Sequence, residues 1–237
     1  MAQSTLWPKI ESHIKQDPKI EKRVQELLVK MTLEEKIGQM VQAEIKSATP
    51  EDVKKYHLGS ILNGGGSFPN NNKFSSVMDW IKLADDYYKA SINSNTGIPV
   101  IWGTDAVHGH NNVFGATIFP HNIGLGASNN SQLIRKIGEI TAKEVLATGI
   151  DWIFAPTVAV PRNDRWGRTY EGYSEEPSIV KSFAAPMIYG IQGQNTTVFN
   201  DHHLVATVKH FVGDGGTLDG VDQGNNCLLY TSPSPRD

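Results

Sequence analysis

Apolar residues in this chain recur first at helical spacing. Val24, Leu27, Leu28 and Met31 share a 3.6-residue period. A capping-box pattern, Thr32-x-x-Glu35, then opens a second predicted helix with Leu33, Ile37, Met40, Val41 and Ile45 on one face. After this helical lead-in the pattern changes to short continuous apolar runs. Leu58–Leu62 predicts a strand that ends in Gly64, Gly65 and Gly66, followed by strands at Ile98–Trp102, Trp152–Ala155 and Val205–Val212. Between them lie amphipathic stretches. One carries Val77, Trp80, Ile81, Ala84, Tyr87, Tyr88 and Ile92 on a stripe. Another runs from Leu133 to Leu146 and closes at Gly149, and a third covers Pro177–Ile191, ending before Gly193.

Strand and helix therefore alternate, with strand starts roughly 40 to 55 residues apart, which predicts a parallel sheet. The strands are apolar throughout rather than at every second position, as expected when both faces are covered. A parallel α/β fold places its site at the C-terminal ends of the strands. The residues found there are polar. Asp105, His108 and His110 follow the second predicted strand; Arg162, Asp164, Arg165 and Arg168 follow the third; Lys209 and His210 end the fourth.

Composition narrows the classes. The chain has 237 residues, 39% of them hydrophobic, with 22 Lys+Arg against 25 Asp+Glu. The balance lacks the basic stripe that a nucleic-acid partner needs, so none is expected. Cys227 is the single cysteine, which excludes an intrachain disulfide and a cysteine-based zinc cage. No apolar run approaches the ~18 residues of a membrane span, so no membrane partner is expected. Met1–Ile20 lacks a cationic start followed by an apolar stretch, so no secretory signal is expected there.

Three segments can carry chemistry. In Gly103-Thr-Asp-Ala-Val-His-Gly-His-Asn111, a carboxylate directly after a strand can accept hydrogen bonds from several hydroxyls of a polyhydroxylated ligand. His108-x-His110 is also a spacing that some metal-dependent hydrolases use, and both histidines can equally be structural. In Pro161–Glu171, three arginines surround Trp166. The loop is either solvated or aims an arginine into the mouth, and Trp166 either stacks on a ligand or packs. Glu171, Glu175 and Glu176 are carboxylates whose direction one segment cannot decide. In Lys209–Gly216, a lysine inside an apolar strand requires an internal carboxylate or a ligand beside it. No phosphate loop is present, since neither glycine fingerprint occurs.

Together these segments resemble the N-terminal barrel domain of glycoside hydrolase family 3, which contains β-glucosidases and exo-acting β-glucan hydrolases. Four stretches carry the resemblance in order: Met31-Thr-Leu-Glu-Glu-Lys-Ile-Gly-Gln-Met40, the Gly103–Asn111 stretch, Arg165-Trp-Gly-Arg-Thr-Tyr-Glu171, and Lys209-His-Phe-Val-Gly-Asp-Gly-Gly-Thr217. Leu6-Trp-Pro-Lys9 and Gln42-Ala-Glu44 resemble the exo-1,3/1,4-β-glucanase branch. The resemblance implies an α/β fold, a partial (β/α)8 TIM-type barrel of roughly the first four strand–helix units with an N-terminal helical lead-in. It implies that Asp105, Arg168, Lys209 and His210 bind hydroxyls of the non-reducing-end glucosyl unit of a β-glucan oligosaccharide or β-glucoside. It implies no metal or cofactor, which leaves His108 and His110 as support for the pocket, and a periplasmic or secreted parent.

Retaining glycosidases use a nucleophilic carboxylate and an acid/base carboxylate roughly 5 Å apart. In this family the nucleophile is an Asp in a Ser-Asp-Trp-like segment on a later strand, and the acid/base belongs to a following domain. No Ser-Asp-Trp occurs here. The expectation is therefore that both catalytic carboxylates lie outside these 237 residues, and that Glu171, Asp214 and Asp219 do not replace them. The tail from Cys227, Cys-Leu-Leu-Tyr-Thr-Ser-Pro-Ser-Pro-Arg-Asp237, resembles a translated sequencing adapter. It divides the chain into a barrel part, 1–226, and a non-native tail, 227–237.

Overall fold

The computed structural model describes residues 16–194 and 202–226. Leu6–Lys9 and the adapter-like tail at 227–237 lie outside the described residues. The elements in chain order are α1 (Pro18–Lys30), α2 (Leu33–Gln39), β1 (Gln42–Glu44), α3 (Pro50–Tyr56), β2 (Ser60–Asn63), α4 (Val77–Ile92), β3 (Ile101–Thr104), α5 (Asn122–Ala127), α6 (Ser131–Leu146), β4 (Trp152–Ile153), α7 (Pro177–Gln192) and β5 (Val205–Ala206). The strands form one sheet in the order β1-β2-β3-β4-β5, and every pairing is parallel. Each strand thus lies beside its predecessor, the winding of a barrel wall. A doubly wound sheet would reverse its strand order at a switch point.

Four strands are expected from the apolar runs; five are present among the described residues. The additional one, β1, occupies the stretch where the sequence predicts a continued helix through Ile45. The helix stops earlier because Gly38 packs directly against the backbone at Tyr56 and His57, where a Cβ would collide with the Tyr56 carbonyl. Met40 N and Val41 N then close a tight turn onto the carbonyls of Ile37 and Gly38. The chain leaves that turn extended, with Ala43 opposite Ile61 in the ladder. The capping box read at Thr32 and Glu35 is formed: Glu35 N donates to Thr32 Oγ1 at 3.2 Å and Thr32 N donates to Glu35 Oε2 at 2.9 Å.

The core lies between the sheet and its helices. Trp80, at 0% exposure, packs at 5.9 Å from the Trp102 ring, and Tyr87 meets that ring edge-on at 5.6 Å. Burial of such side chains contributes about 1.5–3 kcal/mol each. Their polar ends are satisfied, since Trp102 Nε1 donates to Asn63 Oδ1 at 2.8 Å and Tyr87 Oη to the Ala48 carbonyl at 2.5 Å. Helices α6 and α7 pack closely through Gly138 and Gly190. A Cβ on Gly190 would lie 2.9 Å from Gly138 Cα, so the pair brings the two backbones into contact. Ile134, Ile137 and Val145 from α6, with Val180, Phe183 and Ile191 from α7, are buried around that crossing.

Candidate functional site

The site is assembled by three connections, those that follow β3, β4 and β5. Asp105 comes directly after β3, and its N–H reaches the Asn63 carbonyl at the end of β2. The excursion beyond it closes at a bridge between Gly109 and Ile118. Gly109 has φ of +96° and approaches the Thr117 carbonyl so closely that a Cβ would clash, so the turn requires glycine. Two contacts anchor this loop to α6 and its end. Thr117 Oγ1 donates to Glu144 Oε1 at 2.7 Å, and His110 Nε2 meets Thr148 Oγ1 at 2.9 Å.

The connections after β4 and β5 pack backbone against backbone. Arg162 N donates to the Gly215 carbonyl at 2.9 Å, and a Cβ on Gly215 would lie 2.5 Å from the Val160 carbonyl oxygen. Beyond β5 the chain still runs beside the β4 connection, since Lys209 N donates to the Pro156 carbonyl and Val158 N to the Lys209 carbonyl. These contacts set Lys209 and His210 between the end of β3 and the Arg168 loop.

The result is two linked groups of charges. Lys209 Nζ donates to Asp105 Oδ1 at 2.6 Å, so the carboxylate that a strand lysine requires is Asp105, 104 positions earlier. One of the three ammonium donors is used in that contact. Arg168 Nε and Nη2 donate to Glu171 Oε1 and Oε2 at 2.9 and 2.8 Å, a bidentate pair. Nη2 also lies 3.0 Å from His210 Nε2, and His210 Nδ1 lies 2.7 Å from Asp214 Oδ2. Those last two atoms are in ion-pair range but outside hydrogen-bond angles, and neither has another hydrogen-bond partner. Asp105, Arg168, Lys209 and His210, named from the sequence, thus come together.

Burial and charge act on the proton equilibria here. Burial by itself would raise the Glu171 carboxyl, but the Arg168 hydrogen bonds and charge hold it below its ordinary value. The same pair raises Arg168. His210 is lowered by burial first, then by the Arg168 and Lys209 charges, against an opposing pull from Asp214. The carboxylates of Glu171 and Asp214 are therefore engaged with cationic or imidazole partners within the site. Sequence reasoning singled out Glu171 without a direction and gave Asp214 no role, because their partners come from other loops.

The remaining candidates separate from this group. His108 Nδ1 lies 3.0 Å from the Phe119 carbonyl and its ring stacks on His121 at 4.0 Å. His110 is wholly buried, and that burial pushes it down to about 4. The two histidines thus face different partners, and among the described residues no group of three or more His, Cys, Asp or Glu is arranged to hold a metal ion. Trp166 packs rather than presenting a face: it is 2% exposed, with Nε1 donating to Asp222 Oδ1 at 2.8 Å. Arg162 Nη1 reaches the Glu175 carbonyl at 3.2 Å.

Residues 32–232 match the glycosyl hydrolase family 3 N terminal domain. The chain belongs to glycosyl hydrolase family 3. Among solved structures it is similar to the exo-1,3/1,4-beta-glucanase ExoP from a Pseudoalteromonas species, with 55% identity and a TM-score of 0.83, covering 90% of this chain and 27% of that one. A β-glucosidase from Listeria innocua in complex with isofagomine has 29% identity and a TM-score of 0.69, covering 89% of this chain and 29% of that one. The lysosomal beta glucosidase of Dictyostelium discoideum is 33% identical, covering 84% of this chain and 27% of its own length. The periplasmic beta-glucosidase of Salmonella typhimurium is 30% identical over 84% of this chain and 24% of its own length. The chain thus spans about a quarter of these relatives, within a family of glycoside hydrolases.

Proposed function

We propose that this chain is the sugar-pocket portion of a retaining, exo-acting β-glucan hydrolase or β-glucosidase that releases glucose from non-reducing ends. The observation that carries this is the convergence of Asp105–Lys209 with the Glu171–Arg168–His210–Asp214 group at the C-terminal ends of β3, β4 and β5. An ionised carboxylate accepts from adjacent sugar hydroxyls, while ammonium and guanidinium groups donate to the hydroxyl oxygens. Interactions that strengthen as the ring flattens toward an oxocarbenium ion lower the barrier to cleavage.

In this reading residues 1–226 belong to the barrel and 227–237 do not. The nucleophilic Asp and the acid/base Glu come from other parts of a longer protein, and no metal or cofactor takes part. Exo action on β-1,3/1,4-glucan is supported by the similarity to the Pseudoalteromonas enzyme, and a periplasmic or secreted location by the Salmonella relative's name. The test is turnover of an aryl β-glucoside. The longer protein is expected to hydrolyse it, with Asp105→Ala lowering kcat/KM by roughly 100-fold for two lost charge-assisted hydrogen bonds. The 237-residue chain alone is expected to hydrolyse none. Sustained turnover by the isolated chain, or an unaffected Asp105→Ala enzyme, would overturn the proposal.

A further inference from the structure

We infer that Asp214 and Glu171 are positioning residues, which lock Arg168 against a neutral His210 whose only ring proton sits on Nδ1. The inference rests on the site being the pocket for the terminal sugar. It begins from hydrogen-bond inventory. A guanidinium has five donors and no acceptor, so the 3.0 Å contact between Arg168 Nη2 and His210 Nε2 requires the ring nitrogen to accept. A ring that accepts at Nε2 is not an imidazolium, and its single proton is on Nδ1.

Asp214 is the carboxylate beside that nitrogen. Its Oδ2 is 2.7 Å from Nδ1, and both atoms are buried with no hydrogen-bond partner elsewhere, so a small rotation of either side chain pairs them. The other end of the chain of contacts is equally fixed. Glu171 takes Arg168 in both oxygens, and its own backbone carbonyl accepts from Asn122 Nδ2 at 2.7 Å, which ties the clamp to α5. Burial first, and then the Arg168 and Lys209 cations, disfavour a positive charge on the ring, and Asp214 is the one carboxylate acting against them. The balance of these groups agrees with a neutral imidazole.

The arrangement assigns the donors that face the sugar. Three of the five Arg168 N–H groups are used on Glu171 and His210, and the His210 Nε2 lone pair is used on Arg168. Hydroxyl recognition at this corner then falls to the remaining guanidinium N–H groups, the Lys209 ammonium and Asp105. Glu171 acts on the ligand through Arg168, and Asp214 through His210 and then Arg168; neither touches it.

Asp214→Ala and Asp214→Asn in the longer protein separate positioning from simple support. Asp214→Ala removes the one carboxylate beside the buried Nδ1 and is expected to raise KM and lower kcat/KM for an aryl β-glucoside by roughly 10- to 100-fold. Asp214→Asn retains an oxygen that accepts from Nδ1–H and is expected to recover most of that loss. Equal impairment in both variants, or a folded Asp214→Ala enzyme with the original kcat/KM, would overturn the role. Neutron diffraction reads the tautomer independently of activity. Deuterium on His210 Nδ1 and none on Nε2 is the expected result, and deuterium on Nε2 contradicts it. A protein that turns over no β-glucoside would count against the proposed function, while the neutron map would still decide the tautomer.

Discussion

Lys209 and His110 show how differently the interior treats two basic side chains. Lys209 meets a carboxylate, Asp105, at 2.6 Å, whereas His110 is enclosed against the Trp80 ring with Thr148 beside Nε2. Burial favours the uncharged imidazole and moves it from an ordinary 6.5 to about 4. Stability depends on this shift in a definite direction. Above about pH 6.5 the ring is neutral in both folded and unfolded chains, and the contribution is complete. As pH falls below 6.5 the unfolded chain takes up the proton first. Folding then loses stability down to about pH 4, by a total on the order of 3 kcal/mol, and no more below it. Urea unfolding between pH 7 and 4 measures the slope. His110→Gln, which keeps an amide for Thr148 and does not titrate, is expected to remove this part of it. An unchanged slope in that variant would show that His110 is already charged in the fold.

At the scale of elements, the four strands read from apolar runs are present, and the candidate site lies at their polar ends. The boundaries moved by a few residues, and the last strand narrowed to Val205–Ala206. Periodicity could not reveal β1, because Val41 and Ile45 continue the helical spacing of α2 and only three residues form the strand. Helices α3 and α5, of 7 and 6 residues, are too short for a periodic stripe. The site was legible as a set of residue types at strand ends. Its pairings were not, because Lys209–Asp105 and Arg168–His210 join segments 104 and 42 positions apart. Two glycines make a testable case at this scale. Propensity alone says that Gly190→Ala in the interior of α7 stabilises by about 0.5–1 kcal/mol. The close crossing of α6 and α7 says the opposite, since the new methyl meets the Arg135 carbonyl and Gly138 Cα. The expected result is a net loss of about 1–3 kcal/mol, seen as a lower denaturation midpoint. A gain would mean that the helices separate without cost.

At the scale of the molecule, the five strands of the described residues form an arc rather than a closed wall. Among the described residues β1 and β5 each pair on one side only. Helix α1 buries none of its residues, and Val29, Leu33 and Met40 are 83%, 68% and 85% exposed. Unpaired edges and exposed apolar side chains are what a barrel removes by closing. That geometry fits a chain spanning about a quarter of its relatives' length.

The central claim, that the C-terminal ends of β3, β4 and β5 hold one terminal glucosyl unit, is tested most directly by a crystal structure of the longer protein soaked with glucose. The account predicts one pyranose ring with hydroxyls within hydrogen-bond distance of Asp105, Arg168 and Lys209, and the Glu171–Arg168–His210–Asp214 contacts intact beside it. An ordered sugar elsewhere, with these residues touching only one another, would contradict it.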